Sequence, residues 1–500
     1  MENELKLEKQ RLREEKELNR LLKQKQRPKH KMYLWYLLLV LTLIYVIDEI
    51  ISNLQGNLIS EMSHSIFPDL FAQEGGAVLA AKPFNIVAAI AIAILAFSMF
   101  YKPLADKFGR KPFLVINTFG MGAAVAICSL ARNAQTFWLY VVGFFMMRFF
   151  VTPDEQVVYI FETVDQNKRA TTYSIIKGIA EFGLIFISLM RMGFLGSDIF
   201  GNNVAVEGYK NWRWIFLICA GTAALISLLA LLLSRETDPY LDSRIEYLQK
   251  TPEQRRQEAE EQKLLRKNTQ SGFFNGLAMV FKTKQLLFLC IATVLYASAS
   301  SLITYYSTLV THTYVDIFNR TDVAATGALN QALFVFPLTC GVITILYGFF
   351  SDKFGRKPIL IALLSIVAVS FLLFIVGLLN DWNIFLLGAF IGLFLGGFWG
   401  AGDTLIMIAS ESAPTRIRVS AMTAHSLFFG MGQGISALLV IFVPTVRPEL
   451  YCLIACLPLF VSSLVLVMLF VKETKDVNME QVEMEFFKKK DEKEKENEVE

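Results

Sequence analysis

The sequence predicts an all-α polytopic membrane protein, with twelve transmembrane helices forming two pseudo-symmetric six-helix bundles. Three observations carry this. Hydrophobic residues make up 54% of the 500 positions, charged residues only 19%, and the mean hydropathy is +0.45. A water-soluble chain of this length carries more charge. Twelve apolar runs approach the ~20 residues that a ~30 Å bilayer core requires. Finally, the heptapeptide DKFGRKP occurs twice, at Asp106–Pro112 and Asp352–Pro358, about half a chain apart.

The runs fall at 33–55, 84–103, 113–131, 136–160, 170–192, 212–233, 285–311, 325–350, 358–379, 383–409, 419–444 and 450–471. They are continuous and lack period-2 alternation, so helices are expected over a barrel. Lys and Arg concentrate in the amino tail, the 104–112, 162–169, 352–357 and 411–418 loops, the 234–284 segment and the carboxyl tail. An even helix count puts all of these on one side, which the positive-inside rule makes cytoplasmic. Five regions follow: a charged tail (1–31), a first bundle (32–233), a cytoplasmic linker (234–284), a second bundle (285–471) and a charged tail (472–500). The tails are expected to be disordered or surface helices, the first solvated or touching anionic lipid. Residues 1–31 show no short apolar core with a cleavage site, so the first run reads as a retained span.

The six cysteines all sit in apolar runs, against a disulfide framework or a Cys-type zinc site. Net charge is +3 and indicates no nucleic-acid partner. No His-Glu-x-x-His, Gly-x-Ser-x-Gly or Walker loop occurs, so neither an enzyme nor an ATP-driven pump is expected, and no cofactor.

The heptapeptides lie between the second and third spans of each half, which makes the chain an internal duplication. A second pair agrees. The fourth and tenth spans end in DEQVVYIFETVDQNKRA and DTLIMIASESAPTRIRV. Arg169 and Arg418 follow Glu162 and Glu411 by seven residues, and Asp154 and Asp403 precede them by eight.

LADKFGRKP and FSDKFGRKP resemble the Asp–Arg/Lys–x–Gly–Arg–Arg/Lys loop of the major facilitator superfamily. The Glu…Arg pairs, NWRWIF (211–216), RETDPYL (235–241) and KETK (472–475) are similar to its sugar-porter branch, over about 32–475. Lys102 stands where the family's first loop opens on Gly, whereas Gly348 is present in the second, and RETDPYL lacks the Arg usual before its Tyr. The resemblance implies a secondary transporter working by alternating access in the plasma membrane, both termini cytoplasmic, as a functional monomer. Its partners would be a small-molecule solute and the lipid bilayer.

Simple topological anchors need Lys and Arg, but not Asp, Gly and Pro at fixed places twice. Asp106, Gly109, Arg110, Asp352, Gly355, Arg356, Glu162, Arg169, Glu411 and Arg418 are therefore expected to form a cytoplasmic latch favouring an outward-open state. Asp106 and Asp352 would accept from a helix N-terminus or an Arg across the half-interface, and Arg110, Arg356, Arg169 and Arg418 can bind Glu162 and Glu411 bidentately.

Ionisable residues deep in spans are costly and usually functional. Asp48 and Glu49 lie in the first span, and Arg148 lies roughly 15 Å from the cytoplasmic end of the fourth. With Asp154 these are the candidates for proton coupling, since protonating an acid releases its Arg. A structural ion pair between the two spans is the competing reading. Lys177 and Glu181 are four apart and share a helix face, either as a self-contained pair or in a solute site. The resemblance places Lys177 where sugar porters have a sugar-contacting Gln, so an anionic or zwitterionic solute would fit better than a neutral sugar. It also pairs Tyr305 and Tyr306 with the family's Tyr-Tyr, while Leu295, Tyr296 and Ser301 replace its Gln, Gln and Asn. Ser301, Asn330, Gln331, Trp399 and Asp403 complete the candidate solute contacts, with ordinary helix packing the competing reading for each. At the level of the whole chain, a sugar-like, sugar-acid or polar-metabolite carrier competes with a drug or metabolite exporter of the same fold and with a non-transporting membrane sensor.

Overall fold

The computed structural model describes residues 2–26, 32–92, 94, 101, 104–105, 108–151, 155–164, 169–196, 206–251, 253–255, 257, 260, 283–412 and 418–475. Among the described residues ten helices are long and apolar enough to cross a membrane. Two shorter apolar helices, Gly76–Ala91 and His425–Ile441, bring the number to the expected twelve.

In the first half these are α2 (Tyr33–Ile66), α3 (Gly76–Ala91), α4 (Arg110–Ser129), α5 and α6 (Phe137–Val151 and Glu155–Thr163), α7 and α8 (Arg169–Gly183 and Ile185–Leu195) and α9 (Trp212–Leu233), preceded by α1 (Glu2–Gln26). The linker contributes α10 (Asp238–Gln249). The second half holds α11, α12 and α13 (Lys284–Ala297, Ser300–Ile303 and Tyr306–His312), α14 (Asp322–Phe354), α15 (Arg356–Leu379), α16 (Ile384–Glu411), α17 (Arg418–Ile441) and α18 (Pro448–Phe470). One hydrophobic core runs through both bundles.

Several spans depart from the expected runs; α3, for one, starts at Gly76 rather than at 84. The first span does not stop at 55 but continues to Ile66. Its last turns carry Asn57, Glu61 and Ser63, all buried against protein rather than lipid, so a hydropathy rule written for lipid misses them. The eighth span reaches Phe354, which puts the start of the second heptapeptide inside a helix. The seventh span is broken rather than continuous. Ser298 Oγ donates to the Val294 carbonyl, Thr304 Oγ1 donates to the Ser301 carbonyl, and the Ser301 amide turns to Ser436 Oγ. Hydroxyls that compete for helix carbonyls in this way loosen the ladder.

Helix α14 packs along α7 and α8 at the bundle interface. Cys340 lies opposite Glu181 and Asn330 opposite Ser188, so the pairing is antiparallel. The end of α14 therefore meets the start of α7, and both heptapeptides fall on one face of the molecule, here the heptapeptide face. At the other face α13 lies against α2.

The amino tail, expected to be disordered or a surface helix, is a helix docked on the linker. Leu21 packs with Leu241, Ile245 and Leu248, flanked by Leu18 and Leu22. Arg244–Glu17 (2.8 Å), Arg255–Glu14 (2.9 Å) and Lys25–Asp242 (2.5 Å) border the contact. Partly exposed pairs add only about 0.2–1 kcal/mol each, so the aliphatic cluster, at about 1.5–3 kcal/mol per buried side chain, holds the helix. Ile245→Arg is expected to release α1. Limited proteolysis should then cut within residues 2–26 several-fold faster, while the melting temperature of the bundles stays at the wild-type value.

Candidate functional site

The heptapeptide face is built from one device used twice. In the first bundle Arg110 Nε and Nη2 donate to Glu162 Oε1 (3.3 and 3.2 Å), and Thr237 Oγ1 donates to Glu162 Oε2 (2.5 Å). In the second, Arg356 Nε donates to Glu411 Oε1 (3.4 Å) and Thr474 Oγ1 to Glu411 Oε2 (2.6 Å). The neighbouring carboxylate takes the helix N-terminus. Glu236 accepts from the Arg110 and Lys111 amides at the start of α4, and Glu473 from the Arg356 and Lys357 amides at the start of α15. Those amides have no partner inside the helix, and the dipole favours an anion there.

The two glycines are required by this geometry. Gly109 and Gly355 have φ of +107° and +103°. A Cβ would stand 2.5 Å from Glu236 Oε2 and 2.6 Å from Glu473 Oε2. Asp352 accepts from Arg356 Nη1 at 2.8 Å, within its own loop. None of these bonds runs from one bundle to the other. Asp106, and the side chains of Arg169 and Arg418, lie outside the described residues.

The two clamps differ in burial. Burial pushes the Glu236 carboxyl above its ordinary value and outweighs the amides of Lys111, Arg110 and Thr237. At the more exposed Glu473 burial also pushes upward, but the amides of Lys475, Arg356, Lys357 and Thr474 win and hold it below the usual 4.5.

Eight residues in from the heptapeptide-side ends of α7 and α16, roughly 12 Å at 1.5 Å per residue, the bundles are joined by charge. The Lys177 ammonium on α7 pairs with Asp403 Oδ2 on α16, and Tyr347 Oη on α14 donates to the same oxygen at 2.5 Å. The Lys177 side chain is 10% exposed and that of Asp403 31%, so the pair is open on the carboxylate side. The Tyr173 ring centroid lies 5.9 Å from the ammonium. The self-contained Lys177–Glu181 pair is thus not what forms: Lys177 reaches across the interface, and Glu181 Oε2 has Cys340 Sγ at 3.4 Å. Removing one member of a buried pair leaves an uncompensated charge and costs about 3–5 kcal/mol.

The opposite face is closed by hydrogen bonds between bundles. Tyr306 Oη donates to Asn57 Oδ1 (2.8 Å), Ser307 Oγ to the Gly56 carbonyl (2.6 Å), and Thr311 Oγ1 to Ser60 Oγ (3.0 Å). Ser188 Oγ donates to the carbonyl and Oδ1 of Asn330, both at 3.0 Å. Beneath this seam Arg191 is fully buried, donating to Glu61 Oε1 (2.5 Å) and to the Asn57 carbonyl (2.7 Å). A cavity of about 420 Å³ on this face, lined by His64, Glu74, Asp316 and Asp322 among others, lies away from the Lys177–Asp403 pair.

The remaining candidates scatter. Asp48 is buried and accepts from Gln156 Nε2 at 2.9 Å, and Asn53 Nδ2 donates to Glu49 Oε2 at 3.3 Å. The Arg148 guanidinium stands 5.3 Å from the Phe144 ring centroid. Asp154 lies outside the described residues. Tyr305 is buried and Gln331 half-buried, while Trp399 is 39% exposed and meets Phe398 edge-on. Glu61, Glu236 and Glu473 were not singled out from the sequence. The first was hidden by the misplaced end of a span. The other two had a signal, the shared Glu-Thr of RETD and KETK.

Two six-helix halves, a duplicated clamp on one face and a charged seam between them define a membrane transporter fold. The family model described as "Sugar (and other) transporter" matches residues 7–486, and the chain belongs to that family. Among solved structures, a D-xylose–proton symporter aligns at 16% identity with TM-score 0.60, covering 89% of this chain and 99% of that one. A partially occluded, inward-open conformation of the xylose transporter XylE from E. coli aligns at 16% with TM-score 0.61, covering 90% and 100%. A bacterial homologue of the human lysosomal transporter Spinster, inward-facing and unoccupied, aligns at 14% with TM-score 0.57, covering 88% and 95%. These likenesses establish the fold. A search of curated proteins gave no significant match.

Gly355→Ala is expected to lower stability by about 1–3 kcal/mol, because its backbone conformation is nearly exclusive to glycine. Thermal unfolding in detergent measures this. Glu473→Gln should also destabilise at neutral pH. A depressed carboxyl contributes above its unfolded value and loses that contribution as pH falls through the folded one. The melting difference from wild type should therefore close as pH drops below 4.5.

Proposed function

We propose that the chain is a secondary transporter that moves a small polar organic solute across the plasma membrane by alternating access, driven by a proton gradient. The heptapeptide face is cytoplasmic in this reading, because the Lys- and Arg-rich loops gather there. The chain works as a monomer, with the solute passing between its own two bundles. The observation that carries the proposal is the Lys177–Asp403 pair, a charged contact inside the membrane between two bundles whose seam on the opposite face is made of neutral hydrogen bonds.

Alternating access needs contacts strong enough to define a state and weak enough to break. Neutral hydrogen bonds, at about 0.5–1.5 kcal/mol each, meet this at the opposite face. The conformation described here is closed on that face. The Arg110–Glu162 and Arg356–Glu411 clasps act as braces in this account. They keep the loop end of each bundle rigid while the bundles rock, and the inter-bundle bonds set the populations. Proton coupling rests on the ability of a protonated carboxyl to let go of a cation.

Tyr306→Phe removes one bond of the closed seam and leaves Asn57 Oδ1 unsatisfied. The population open at the opposite face should rise roughly two- to tenfold. Faster labelling of Ser63→Cys by an impermeant thiol reagent would report it; Ser63 is buried in α2 and the native cysteines are buried too. An unchanged rate counts against gating by this seam. The transport reading itself is tested by uptake into proteoliposomes with and without an imposed pH gradient. Absence of flux for every solute class tried would overturn it.

A further inference from the structure

The geometry points to a solute that is a net monoanion through a single carboxylate, such as a sugar acid or another small monocarboxylate, entering with one proton, with Lys177 as its anchor and Asp403 as the proton site. This rests on the transporter reading above and specifies its substrate class.

The Lys177 ammonium meets Asp403 of the other bundle, and Tyr347 Oη donates to the same carboxylate oxygen. Any motion that separates α7 from α16 pulls this pair apart and leaves the almost enclosed Lys177 ammonium without its counter-ion. Hydroxyl groups solvate such a charge only in part. A neutral sugar therefore makes this opening unfavourable. A carboxylate on Lys177 and a proton on Asp403 restore balance together: one anion and one proton enter, one internal pair is replaced, and the net charge of the site is unchanged.

The order of events follows from exposure. The Asp403 side chain is open while the Lys177 side chain is almost enclosed. The proton reaches the acid first, Lys177 is released, and the solute's carboxylate takes the vacated position. The surroundings suit this exchange. Tyr173 lies beside Lys177, and Tyr296 and Tyr347 lie beside Asp403. Glu181 sits one turn from Lys177 with the Cys340 thiol on its Oε2. Lys177 thus stands between two carboxyls, Asp403 and Glu181. An entering anion without a proton would add to an existing excess of acid, which is why the proton must accompany it.

The test uses the full chain in proteoliposomes with labelled gluconate, lactate, glucose and alanine, under an inside-alkaline pH gradient, with the membrane potential clamped or free. Gluconate or lactate should accumulate, and the clamp should leave the rate unaltered because the step is electroneutral. Lys177→Gln should lower carboxylate uptake by roughly tenfold to a hundredfold, the range expected for a lost hydrogen bond to a charged group. Lys177→Arg should retain most of it, which separates a charge requirement from a folding defect. Asp403→Asn should make flux indifferent to the pH gradient. Uptake of glucose or alanine alone, or wild-type carboxylate uptake by Lys177→Gln, overturns the inference and leaves the transporter reading standing. No flux for any of the four probes overturns both.

Discussion

A charge inside a membrane protein must have a partner, and in this chain the partner of Lys177 sits in the other bundle. Most of the architecture can be derived from that constraint. Side chains facing lipid or core can be Leu, Val or Phe, as the composition shows. The few ionic groups at depth then become the contacts that decide how the halves sit. Arg191 and Glu61 are fully enclosed and both belong to the first bundle, so they fasten α8 to α2 and have no reason to separate. Lys177 and Asp403 belong to different bundles and are partly open, so they join surfaces that can part. The same chemistry gives a permanent rivet in one place and a releasable one in the other.

The heptapeptide face applies the rule at a helix end. Its anions are there because unpaired amides and a positive dipole end are there. Glu236 serves α4, Glu473 serves α15, and each glycine gives way because its missing Cβ is where the carboxylate stands. Arg110 and Arg356 then tie the loop to Glu162 and Glu411. The duplication preserves the bond pattern but not the burial, which is why the two carboxyls are shifted in opposite directions.

Much of this was legible in the sequence because identical chemistry recurs in register. The repeated heptapeptide, the two Glu…Arg spacings and the long apolar runs fix twelve spans in two halves. The clasp partners Arg110–Glu162 and Arg356–Glu411 were also readable. What stayed hidden depends on which face of a helix meets protein. Asn57, Glu61 and Ser63 read as a loop because polarity alone cannot distinguish water from a buried seam. Lys177 and Glu181 are a natural i, i+4 pair, yet a helix pressed against Lys177 offers Asp403, 226 positions away. The docked amino helix depends on Leu241, Ile245 and Leu248 lining up on α10, a pattern of too few residues to stand out in a charged linker.

The central claim is that the bundles part and rejoin about the Lys177–Asp403 contact. Spin labels at Phe108 and Phe354, the exposed phenylalanines of the two heptapeptides, would measure the distance between the bundles at that face. The account predicts two distance populations whose ratio changes with pH in the wild type and is insensitive to pH in Asp403→Asn. A single distance under all conditions, or the same pH response without the carboxylate, would contradict it.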